Sequence, residues 1–140
     1  MCPRPVAPAS RIERPFFTVL GMAQDAGLPQ AGCRRACCAR ARRDPKLRRR
    51  AACAAVGADG KRWLIDATPD FREQIASLDR SARGSLDGIF LTHGHMGHYA
   101  GLLQLGREAM NARGVPVYAM KRMGGLLRRN APWAPVTARC

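Results

Sequence analysis

The apolar positions change period along the chain, and each change marks an element. "FFTVLG", Phe16 to Gly21, is a short β-prone run that stops at glycine and reads as a first strand. The following "MAQDAGLPQAGCRRACC" is crowded with Gly, Pro and Cys and reads as a loop. In "AACAAVGADGKRWLID" two apolar runs flank Asp59-Gly60, a pair suited to a tight turn with positive φ. That pattern predicts a hairpin whose second arm leads straight to Asp66. "TPDFREQIASL" begins with Thr68-Pro69, a helix start signal, and continues with Phe71, Ile75 and Leu78 at helical spacing. "LDGIFLT", Leu86 to Thr92, carries three apolar residues in succession and predicts a strand buried on both faces. "GLLQLGREAMNAR" predicts a helix with Leu102, Leu105, Ala109 and Met110 on one side. "VPVYAM" predicts a short strand, and "KRMGGLLRR" a short helix across Gly124-Gly125. Strands and helices interleave, so the class is α/β or α+β, a mixed sheet covered by helices.

Length adds that one domain with a real core is available to 140 residues. The expected organisation is a disordered Pro/Ala/Arg leader at residues 1–15 and a domain over 16–140. The leader lacks the apolar centre of a secretory signal, and no apolar stretch reaches the roughly 18 residues that span a bilayer. A cytoplasmic protein without a membrane partner is the expectation.

Charge changes the picture less than its size suggests. The net charge is +14, and its densest source is "RARRDPKLRRR", Arg40 to Arg50. The run is either a grip for phosphate groups, including nucleic acid, or a solvated loop. No aromatic residue interleaves with it, which disfavours single-strand binding by base stacking.

The candidate chemistry lies in "LTHGHMGHYAG". All three histidines of the chain, His93, His95 and His98, fall within six residues directly after the predicted buried strand. Function commonly sits at the carboxyl end of such a strand. Residues 93 and 95 are two apart, so in an extended segment their side chains point the same way and two imidazoles can converge on one ion. Glycines at 94 and 97 let the backbone fold closely around it. Neutral imidazole suits Zn²⁺.

"THGHMGH" resembles the metal motif of the metallo-β-lactamase fold superfamily, whose form is H-x-H-x-D-H after a buried strand. "WLIDATPD" is similar to that superfamily's strand ending in aspartate. "VLGMAQDAGLPQAGC", "TPDFREQI" and "GLLQLGREAM" look closest to its pyrroloquinoline quinone (PQQ) biosynthesis protein B branch. The likeness runs from about Phe16 to Met120. It implies the N-terminal half of a four-layer αββα sandwich, with the remaining metal ligands in the second half. It also implies zinc-assisted hydrolysis of an ester, phosphodiester or similar bond. By resemblance His93 and His95 hold the first metal. His98 either joins them or handles protons, and Asp66 orients a ligand from behind or caps the strand-to-helix turn. One departure stands out: the motif's aspartate falls at position 97, where this chain has Gly97. A two-metal site loses a charged ligand there.

Six cysteines are present, and without a secretion signal a disulfide framework is not expected. Cys53, inside "AACAAV", reads as a small core residue. Cys33, Cys37 and Cys38 in "GCRRACC" read either as reduced thiols or as part of a structural zinc site. The resembling branch carries a Cys-rich zinc loop at this place, spaced C-x-C-x-x-C, whereas the spacing here is C-x-x-x-C-C.

The leading expectation is therefore a zinc hydrolase acting on a small molecule, represented here by a part that binds metal weakly and is inactive alone. The alternatives are a non-catalytic accessory or carrier protein of PQQ biosynthesis, which Gly97 favours, and an RNA-processing nuclease gripping its substrate through the arginine run.

Overall fold

A computed structural model describes residues 14–79 and 86–137 of the protein. The leader read at residues 1–15 falls outside the described residues except for Arg14 and Pro15. Five strands form one sheet in the order β1-β2-β3-β4-β5: Phe16–Gly21, Cys53–Ala58, Lys61–Ile65, Gly88–Phe90 and Val117–Tyr118. The pairs β1/β2 and β2/β3 are antiparallel, while β3/β4 and β4/β5 are parallel. It follows that β1, β3, β4 and β5 all run the same way, and their carboxyl ends share one edge of the sheet.

The β2–β3 hairpin closes as its sequence predicts. Asp59 and Gly60 take φ of 52° and 74°, the left-handed pair that a two-residue turn demands. Among the described residues four α-helices accompany the sheet: α1 (Ala36–Arg43), α2 (Phe71–Asp79), α3 (Lys121–Arg129) and α4 (Trp133–Thr137). Helix α2 is the crossover that makes β3 and β4 parallel. Thr68 and Asp70 fix its start. The Thr68 hydroxyl donates to Gln74 Oε1 at 2.8 Å and accepts from the Asp70 amide at 3.1 Å. Asp70 and Gln74 then tie α2 to the segment before β2, through the Ala51 amide at 2.7 Å and the Ala51 carbonyl at 2.9 Å.

Strand alternation sorts the sheet into two unlike faces. Leu20, Cys53, Ala55, Leu64 and Ile89 point inward and are buried. Phe71 and Leu78 from α2, Leu102 and Leu105 from the segment after the histidines, and Met123 and Leu127 from α3 complete this core. The opposite face has no such cover among the described residues, yet it is also apolar. Phe17 and Val19 on β1 are 64% and 58% exposed. The register puts Val19, Ala54, Ile65, Phe90 and Tyr118 in one line across all five strands, with Phe90 and Tyr118 stacked at 4.6 Å. One face of the sheet is thus packed on helices and the other is apolar and open among the described residues, the two-faced character of a sheet in a layered fold.

Four expectations need correction. The strand read at 86–92 is ordered as β only over Gly88–Phe90, and Phe90 belongs to the exposed face, so the strand is buried on one side only. The helix read in "GLLQLGREAMNAR" is a 3₁₀ segment, Ala100–Leu105, that ends at Gly106 in extended backbone. Leu102 and Leu105 are buried as expected, but Ala109 and Met110 face solvent, because the chain turns away before reaching them. The helix signalled by Thr68-Pro69 begins two residues after the proline, at Phe71, since Pro69 and Asp70 form a turn. Finally, the cysteine loop ends inside α1. That helix carries no apolar stripe to announce it and buries only Cys38 and Ala41. Among the described residues no helix is long and apolar enough to cross a membrane.

Candidate metal centre

The three histidines follow β4 at the edge where the carboxyl ends of β1, β3 and β5 also lie. Leu91 is still held to the sheet by its amide on the Tyr118 carbonyl at 2.8 Å. The chain then leaves the sheet extended, with His95 at φ −75° and ψ 139°, and tightens into a 3₁₀ turn over Met96–His98. The extended stretch brings His93 and His95 together as their spacing predicts, with ring centroids 4.7 Å apart. The turn returns His98 to 4.0 Å from His93. His95 is largely exposed (72%) and His98 largely buried (12%), so the cluster spans from mouth to floor.

Asp66 forms that floor. It ends β3 with φ 69° and is buried. Its carboxylate accepts the Thr92 amide at 2.8 Å, the Thr92 hydroxyl at 2.8–2.9 Å, and a ring N–H of His98 at 2.7 Å. These bonds assign tautomers. A carboxylate can only accept, so His98 donates to Asp66 from Nδ1, and its Nε2 faces Asp25 on the other side of the ring. The Thr92 hydroxyl has one proton and directs it to Asp66. It must therefore accept from His93 Nδ1, which lies 3.0 Å away, so that this ring too has Nε2 on the side turned from Thr92. One buried carboxylate thus sets two imidazoles, directly and through Thr92, in the manner that orients metal-binding histidines. Capping of the strand-to-helix turn, the other reading of Asp66, is performed by Thr68.

Two residues of the site were not picked out by sequence reasoning. Thr92 is one. The other is Asp25, in the loop after β1, whose Oδ1 lies 3.4 Å from His98 Nε2 and 3.7 Å from His95 Nδ1. Among the described residues, Asp25, His93 and His95 form a set whose ligand atoms lie mutually within 4.8 Å, close enough to share an ion. His98 stands beside this set. The signal that marks Asp25 is topological: an acidic residue four positions past the end of a strand parallel to β4. Two imidazoles and a carboxylate, with a further imidazole adjacent, are a donor set that suits zinc and leaves room for water.

The structure does not bring the cysteines together in this way. Cys33, Cys37 and Cys38 line one hollow of about 520 Å³ with Gln24 and Arg35. Cys37 and Cys38 are consecutive on α1, so their side chains diverge by a helical step, one exposed and the other buried. The three sulfurs do not form a mutually close set of ligand atoms. The arginine run is engaged locally. Arg42 donates to the carbonyls of Gln30 and Cys33, Arg48 to that of Ala41, and Arg49 to those of Lys46 and Arg48.

Cys53 is a core residue, as its setting predicts. Burial, and then the charge of Asp66, pushes its thiol up to about 12. Below pH 9.0, its ordinary value, it is protonated folded or unfolded. As the pH rises from there toward 12 the unfolded chain loses this proton first, so stability falls across that window. Iodoacetamide at pH 8 is expected to label exposed Cys37 and spare Cys53 until denaturant is added, as peptide mass spectrometry will read. Equal labelling of both in the folded state would contradict this burial.

The comparisons with known proteins agree with this geometry. The family model described as a beta-lactamase superfamily domain matches residues 61–139. Coenzyme PQQ synthesis protein B of Xanthomonas euvesicatoria is 40% identical over 121 residues, covering 80% of this chain and 39% of that protein. The chain thus spans about two fifths of the length of this curated relative. Among solved structures, zinc-bound PqqB from Methylobacterium extorquens superposes with a TM-score of 0.72 at 28% identity, over 87% of this chain and 45% of that one. A diphosphatase of the PhnP family gives 0.63 at 38% identity, over 85% and 46%. The sheet order, the carboxyl-edge histidine cluster and these matches together place the chain in the beta-lactamase superfamily, with the metallo-β-lactamase fold.

Proposed function

We propose that the histidine cluster is the His-x-His half of a zinc centre in a hydrolase acting on a phosphoester or phosphoanhydride. The observation that carries this is the convergence of His93, His95 and Asp25, with Asp66 and Thr92 holding imidazole protons away from the shared space. A diphosphatase at 38% identity supports the reaction class, and a zinc-bound relative supports the metal. Bound there, zinc supplies a Lewis acid and lowers the pKa of water to near 7. The chain's own residues do the rest. His93 offers Nε2 from a ring fixed by Thr92. His98 keeps its proton at Nδ1 against Asp66 and turns Nε2 to the same space, where it adds a donor or takes a proton. The resemblance assigns the remaining ligands to the second half of the fold.

A second reading, an accessory protein of PQQ synthesis, draws on the 40% identity to the Xanthomonas protein. Nucleic-acid binding is less favoured, since Arg42, Arg48 and Arg49 are already engaged by backbone carbonyls. Zinc competition against a chromophoric chelator tests the leading reading. His93→Ala is expected to remove measurable zinc binding at the cluster while leaving the melting curve of the metal-free chain unchanged. Unaltered zinc affinity in that variant would sink the reading. Turnover of bis(p-nitrophenyl) phosphate by the zinc-loaded protein, lost in the same variant, separates the hydrolase from the accessory protein.

A further inference from the structure

The superfamily motif calls for a carboxylate at position 97, and this chain has glycine there. The structure shows what occupies the space instead. A Cβ built on Gly97 would fall onto the backbone of Asp25, against its carbonyl oxygen and within 2.5 Å of its Cα. Side chains do not approach backbone that closely, so any residue but glycine at 97 would push the Asp25 loop away. The glycine and the aspartate are thus two parts of one arrangement.

The loop holds Asp25 firmly. The Met22 and Ala23 amides bond the Arg50 carbonyl at 3.0 and 2.9 Å, and the Ala52 amide bonds the Ala23 carbonyl at 2.8 Å. On the far side Leu28 and Arg49 pair through both their amides, at 2.7 and 2.9 Å. Between these anchors the chain turns on a Gly27-to-Gln24 bond of 3.1 Å, with Asp25 itself at φ 38°. A left-handed backbone at a non-glycine residue is uncommon and is best tolerated by Asp and Asn. The turn aims the carboxylate at His95 and His98. In a chain of net charge +14, a site for a divalent cation also needs local negative charge at its mouth, and Asp25 supplies it.

We propose that Asp25, reaching in from the loop after β1, is the metal-binding carboxylate that this chain uses in place of an aspartate at position 97. The assignment rests on the zinc reading above, and the experiment separates the two. Zinc competition and cobalt(II) absorption spectra are recorded for the wild type, Asp25→Asn and His93→Ala, with melting curves of the metal-free forms. Asparagine keeps the left-handed backbone and the side-chain size but removes the charge. The expected result is a zinc affinity reduced by more than the roughly tenfold to hundredfold that loss of an outer partner costs. The cobalt d–d bands should change position or intensity, with an unchanged metal-free melting curve. If Asp25→Asn keeps wild-type affinity and spectrum while His93→Ala loses the ion, Asp25 is no ligand and the zinc reading stands. If the wild type takes up neither ion, both ideas are overturned together.

Discussion

Asp66→Ala is expected to lower stability by about 1–3 kcal/mol, the usual cost of leaving hydrogen-bond donors without their acceptor. Four donor contacts converge on this carboxylate, from the Thr92 amide, the Thr92 hydroxyl and His98. Alanine leaves these donors without an acceptor, and the His98 ring, 12% exposed, has the least access to water in exchange. The substitution also releases the tautomers of His93 and His98, so zinc affinity should fall about tenfold to hundredfold. Asp66→Asn divides the two effects. Asparagine accepts the left-handed φ of 69° and still offers one oxygen to the Thr92 amide, so thermal stability should suffer less. Its amide nitrogen cannot accept the His98 proton, so zinc affinity should fall nearly as far. A melting temperature and a zinc isotherm on each variant suffice. Wild-type values for both variants would remove Asp66 from the site.

Phe71→Ala is the second large effect. The ring opens α2 and is 1% exposed, in the core cluster with Leu64, Ile89 and Leu102. Deleting it removes apolar burial and leaves a cavity, at a cost of about 3–5 kcal/mol. Small domains are stable by only about 5–15 kcal/mol in total, so this one change is expected to remove a large share of the stability. Urea denaturation followed by circular dichroism measures it. Phe71→Leu should lose less, because it keeps more of the buried apolar volume. A Phe71→Ala loss no larger than that of the leucine variant would show that the site collapses to fill the space.

Local chemistry made much of this legible. The Asp59-Gly60 turn, the Phe71/Ile75/Leu78 spacing and the histidine triplet each carry their own geometric requirement, and each sits where the sequence suggests. In the segment after the histidines Leu102 and Leu105 fit a helical period, but a 3₁₀ turn ended by Gly106 satisfies the same spacing over so short a span. Helix α1 lacks a stripe, so nothing in its pattern announces it. Asp25 was invisible for a different reason. Its place beside the histidines depends on β1 running parallel to β4 with β2 and β3 between them, which is a fact of sheet order and not of spacing. That the space beside Gly97 is filled by the backbone of Asp25 is likewise visible only in the packed loop.

The apolar line from Val19 to Tyr118 sets the colloidal behaviour of the chain when it is handled by itself. Copies that meet on this plane gain by excluding water, while a charge of +14 drives them apart. The repulsion reaches far in dilute buffer but only about 8 Å at physiological ionic strength. Added salt therefore tips the balance toward clumping, the reverse of its effect on assemblies held by ion pairs.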